Sequence, residues 1–138
     1  MFLIESEKKL SAEDMKKFNG LFNGLLPQSF QDFYLLNNGG YPSDNEEGNF
    51  FMLNGFNPVT YGELPVEEIY KDILNGFPEL RDMVPFAYDD GGNSFLLSLK
   101  DGDDFGKIFV LMMDEKELVE VADSFSSFLD DLKNPPDH

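Results

Sequence analysis

Carboxylates are the one reactive group this sequence supplies in quantity. It carries 27 Asp and Glu against 10 Lys and Arg, with one His and no Cys. A pair of carboxylates at the right separation can hydrolyse a glycoside, one as acid and one as base or nucleophile. With so many acids, some pair falls at any chosen separation by chance. The discriminating feature is an apolar pocket that raises one pKa, and no Asp or Glu cluster here sits in an apolar run. The single histidine, His138, is the last residue, a poor place for a general base. No Ser-His-Asp or Cys-His set can be built inside a fold from these residues, and phosphate-cradling glycine patterns are absent. The expectation is a protein that is not an enzyme, with no catalytic residues, no cofactor and no metal.

Asp101-Gly102-Asp103-Asp104-Phe105-Gly106 opens like a calcium loop. Positions one, three and six match, but Phe105 and Met112 stand where an oxygen ligand and a bidentate Glu are required. The segment reads as a hairpin turn. Asp89-Asp90-Gly91-Gly92-Asn93 has two readings: a turn built from residues that accept positive φ, and an acidic loop able to receive Arg or Lys from a partner. Further acidic loops hold Asp44, Glu46 and Glu47, and Asp114, Glu115 and Glu117. Alternate hairpin turns fall at opposite ends of a sheet. The turns at Asp89 and Asp114 are therefore expected at one end and that at Asp101 at the other. Tyr41 and Tyr88 are candidate aromatic anchors beside these loops, or else margin residues of the sheet. The candidate partner-binding set is Tyr41, Asp44, Glu46, Glu47, Tyr88, Asp89, Asp90, Asp101, Asp103 and Asp104.

Periodicity sets the helices and strands that carry these residues. Ser11 is placed to cap a first helix, with Asp14 near its positive end and Leu10 and Met15 as a hydrophobic staple. Met15, Phe18, Phe22 and Leu25 form its apolar stripe. Leu26 to Asn37 reads as a second helix, Pro27 at its first position, Phe30, Phe33 and Tyr34 on one face, and Asn38-Gly39-Gly40 ending it. Asn49 to Leu53 reads as a strand and Asn54 to Pro58 as a turn. A third helix begins near Leu64, with Val66, Ile69, Tyr70, Ile73 and Leu74 as its stripe, and stops at Asn75-Gly76. Strands are expected over Val84–Tyr88, Ser94–Leu99, Lys107–Met113 and Leu118–Val121, joined by hairpin turns. Ser124 to Lys133 closes the chain as a helix burying Phe125, Phe128, Leu129 and Leu132. Helices, then a run of strands, then a helix argue for an α+β fold with a mostly antiparallel sheet.

At 138 residues one domain is expected over 1–133, with 134–138 as a C-terminal tail. No run approaches the ~18 apolar residues of a membrane span. MFLIESEKK lacks the basic start of a secretory signal, and a cysteine-free chain suits a reducing compartment, so a cytoplasmic location is expected. The formal net charge of −17 repels nucleic acid and anionic membranes and draws in a basic partner. Acidity as a mere aid to solubility is the alternative. Oligomeric state is open, though this charge opposes self-association at low salt.

Three blocks carry a family resemblance. They are the LP-x-x-F-x-x-F-Y helix closed by Asn38-Gly39-Gly40, Val84-Pro85-Phe86-Ala87 leading through the acidic turn into Asn93 and a strand, and the closing Ala122-Asp123-Ser124-Phe125-Ser126-Ser127-Phe128-Leu129. In this order they resemble the SUKH superfamily, which includes yeast cell-wall-synthesis regulators and many bacterial immunity proteins. The resemblance implies a mostly antiparallel sheet with helices packed around one side. It also implies action by binding another protein: an antitoxin role against a toxin domain, with a nuclease suggested by the charge, or a regulatory interaction module. Asn37-Asn38 before the glycines, the short acidic loop after Gly40 and the lack of Trp depart from the family pattern, and partner specificity is expected in those regions.

Overall fold

The computed structural model of the chain describes residues 3–42, 51 and 53–133. The elements run β1 (Leu3–Ile4), α1 (Ala12–Gly20), α2 (Gln28–Leu36), β2 (Tyr41–Pro42), β3 (Leu53–Phe56), α3 (Val66–Gly76), β4 (Met83–Asp89), β5 (Ser94–Ser98), β6 (Ile108–Met112), β7 (Glu117–Ala122) and α4 (Phe125–Lys133). A single 3-10 turn, Pro78–Leu80, follows α3. Strands β3 to β7 form one antiparallel meander in chain order, and β1 pairs with β2 beside it. The fold is α+β, as expected.

Local signals account for the helix ends. Ser11 and Asp14 form a reciprocal capping box at α1, which satisfies two backbone donors that the helix cannot. Leu10 and Met15, the staple pair, are both buried. Ser124 caps α4, its Oγ accepting from Ser127 N at 3.0 Å. Pro27 is the cap residue before α2 rather than its first helical residue.

One face of the sheet is closed by aromatic packing. Phe95, Leu97, Ile108 and Val110 point into the main core with Phe86. There they meet Phe30 and Phe33 of α2 and Phe125 and Phe128 of α4. The ring of Phe125 sits 5.0 Å from Phe30 and 5.4 Å from Phe86, edge to face, the geometry aromatic quadrupoles favour. A core built this way explains a chain with 15 Phe and no Trp. Residues of opposite pleat, Leu96 and Leu111, belong to a second cluster with Ile73, Leu80 and Met83. Successive strand residues face opposite sides, so the second cluster lies on the other face. The C-terminal half of α3 and the 3-10 turn supply its cover, an addition to the expected packing around one side.

Three local expectations are corrected. Residues read as a turn from Asn54 to Pro58 include β3, which pairs Gly55 with Tyr88 and Phe56 with Ala87. Asn54 and Gly55 mark a register shift and a close approach inside a strand, a use of Gly that mimics a turn signal. Of the expected strand, Leu53 opens β3, Phe51 stands in a turn before it, and 49, 50 and 52 lie outside the described residues. Leu25 is 44% exposed: backbone bonds from Phe22 to Asn19 O and Gly24 to Asn19 O turn the chain after α1, so the helical spacing no longer holds at Leu25. Strands β1 and β2, at two residues each, are too short to leave a periodic signal.

Candidate functional site

The sheet face beneath α3 is covered over only part of its width. Beside the helix lies an open groove of about 1010 Å³, at the top of the roughly 300–1,000 Å³ range of ligand pockets. Ile69 and Ile73 of α3, with Phe77 just after it, form one wall, Phe56 and Tyr88 lie on the sheet side, and Tyr41 stands opposite.

The second wall is positioned by the chain reversal after α2. Asn38 is buried, and its side chain makes three hydrogen bonds. Oδ1 accepts from Val59 N at 2.7 Å, while Nδ2 donates to Lys8 O at 2.8 Å and Val59 O at 3.1 Å. Gly39 (φ 76°) and Gly40 (φ 120°) follow in conformations L side chains avoid. A β-carbon on Gly40 would lie 2.5 Å from Ile4 O, and one on Gly39 would lie 2.8 Å from Pro58 N. Only glycine lets β1 and the 57–60 segment close in here. Gly40 then exchanges backbone hydrogen bonds with Phe56, which places Tyr41 over β3.

Tyr41 and Tyr88 meet above Gly55. A β-carbon there would lie 2.9 Å from Tyr88 Oη and 3.0 Å from the Tyr41 ring. The hydroxyl of Tyr88 is half-buried and hydrogen-bonded with Tyr41, and burial first, then that bond, pushes its phenol above the ordinary tyrosine range. Both tyrosines line the groove. The carboxylates of Glu5, Glu7, Glu63 and Asp72 rim it, all exposed, and no lysine or arginine is among the described lining residues.

A family model described as SMI1 / KNR4 family (SUKH-1) matches residues 9–131. The chain belongs to this family. No curated protein sequence matches it. The blocks that resembled the SUKH superfamily are mainly scaffolding: the asparagine-glycine-glycine reversal ties four segments together, and Phe125 and Phe128 fill the core.

In this SUKH-1 domain the candidate residues separate by position. Tyr41 and Tyr88 come together, and the Asp89–Asn93 turn adjoins them, with Gly92 at the groove's edge. The Asp89 and Asp114 turns do share one end of the sheet, tied by Met113 N donating to Asn93 Oδ1 at 3.0 Å. Asp101, Asp103 and Asp104 lie between β5 and β6 at the opposite end, and Asp104 lies 3.9 Å from Lys107. That segment joins two strands, as its reading as a hairpin required. Asp44, Glu46 and Glu47 lie outside the described residues.

Asp89 has internal work. Its Oδ1 accepts from Gly91 N and Asn93 N, at 2.9 and 2.8 Å, and its Oδ2 accepts from Asn93 Nδ2 at 3.0 Å. Asp90 accepts from Asn54 Nδ2 at 3.1 Å and is otherwise exposed. Sequence reasoning did not find Glu5, Glu7, Glu63, Asp72 or Gly55 as groove residues. For Asp72 a signal existed: it sits between Ile69 and Ile73 on the open side of an amphipathic helix.

Proposed function

We propose that this SUKH-1 protein is a non-enzymatic immunity protein that binds a bacterial toxin domain, a nuclease with a basic cleft, and blocks it. The supporting observation is the half-covered sheet face, which is apolar, aromatic at one side and rimmed by carboxylates without a cation among the described lining residues. Docking of this surface on the toxin's catalytic domain would set carboxylates where nucleic acid phosphates lie. The −17 charge would speed encounter with a basic cleft, while the fit of the apolar and aromatic groups would set the lifetime of the complex. Action in the cytoplasm, where a nuclease meets its substrate, belongs to the same proposal.

A regulatory interaction module is the second reading, the other role that the SUKH resemblance implies. Co-expression with the product of the neighbouring gene, expected to be a toxin domain, tests the first. Restored growth together with a stable, inactive complex is expected. Growth arrest despite expression of the folded protein, or a neighbouring toxin with an acidic catalytic surface, overturns the nucleic-acid-mimic mechanism.

A further inference from the structure

The groove beside α3 selects the kind of segment a partner can place in it. Its walls offer Ile69, Ile73, Phe77 and the Tyr41–Tyr88 pair, so it rewards an apolar side chain. Its rim offers Glu5, Glu7, Glu63 and Asp72. Among the described residues the ion pairs involve Glu68, Asp104 and Glu120, and none engages a rim carboxylate. The rim charge is thus uncompensated from within the described fold. An acidic peptide or a nucleic acid strand would meet like charge there, and a second copy of this chain would bring a further −17. Tyrosine faces also attract cations, as Lys8 over the Tyr61 ring at 4.8 Å illustrates close by.

We propose that the groove receives a short cationic segment of the partner, in which one apolar side chain enters between α3 and the tyrosine pair and flanking Arg or Lys groups meet the rim carboxylates. This rests on the protein-binding reading above and names the docking element within it. The acidic turn at Asp101–Asp104, at the far end of the sheet, takes no part.

The test needs no toxin. The full-length protein, labelled with nitrogen-15, is titrated with the peptide acetyl-Arg-Lys-Leu-Arg-Lys-amide. Two controls accompany it, one with Gly for Leu and one with Glu for every Arg and Lys. Saturable amide shifts are expected at Gly40, Tyr41, Ile73 and Tyr88. The Gly control should bind at least about tenfold more weakly, the order that burial of one leucine side chain supplies, and the Glu control should not bind. Asp72→Lys, an exposed change on α3, should weaken binding about two- to fivefold, the scale of one solvent-exposed charge pair. Shifts spread equally over the Asp101 and Asp114 turns, equal binding of the Gly control, or no saturable binding would overturn the proposal. Such results would leave the co-expression test of immunity unaffected, and a failed co-expression would leave the peptide result unaffected.

Discussion

Two buried polar side chains carry much of the specificity of this fold. Asn38 uses its whole amide inside the protein. Asn38→Ala strands the Val59 N–H in the core, and one orphaned buried group costs about 1–3 kcal/mol. Denaturant unfolding should show at least that loss, with little change in slope. Tyr34 is fully buried, its Oη 2.9 Å from Asn57 O and 3.0 Å from Phe86 O. Burial pushes its phenol well above the usual tyrosine range. Because the folded pKa is raised, the contribution to stability is complete below the unfolded value, about pH 10, and is lost as pH rises beyond it. In an ultraviolet titration Tyr34 should ionise only together with unfolding. Tyr34→Phe should cost about 1 kcal/mol at pH 7 and flatten the alkaline fall in stability.

The reversal from α2 into β2 decides where the groove's second wall stands. Gly40→Ala places a β-carbon 2.5 Å from Ile4 O at a φ of 120°. It should destabilise the protein by more than about 1 kcal/mol and release β1, read as faster amide exchange at Leu3 and Ile4. Much of this architecture was legible in sequence. The helices announce themselves by apolar spacing, Ser11 marks the start of α1 as its cap, and the hairpins follow from Asp-Gly and Gly-Gly turns. Tyr41 and Tyr88 were legible as candidates because an aromatic beside an acidic loop can anchor a partner. Their meeting was not legible, since it depends on Gly55 serving as a close-approach glycine within β3 while its neighbours Asn54, Asn57 and Pro58 read as a turn. The acidic rim was equally hidden. Glu5, Glu7, Glu63 and Asp72 are distant in sequence, and only the pairing of β1 with β2 and the lie of α3 gather them. Conversely Asp89, prominent in the sequence as a binding carboxylate, makes its described hydrogen bonds within its own turn.

At the scale of the molecule the governing quantity is charge. With 27 acids and 10 bases, self-repulsion opposes the compact state, and salt screens it over a Debye length of about 10 Å at 0.1 M. Added sodium chloride should therefore raise the melting temperature in the low-salt range. The same screening should weaken capture of a basic partner chiefly by slowing association, since steering charges act on encounter. The two salt responses run in opposite directions, which separates a surface tuned for a cationic partner from one that merely keeps the protein in solution. No helix among the described residues is long and apolar enough to cross a membrane.

An immunity role requires that this SUKH-1 protein bind and silence a basic protein partner. Its most direct test is a pull-down from the source organism at moderate and at high salt, followed by mass spectrometry and assay of the captured protein. The expected result is recovery of a basic toxin domain that is inactive in the complex, with capture reduced at high salt. Recovery of an acidic partner, or of a basic toxin that keeps its activity while bound, would contradict it.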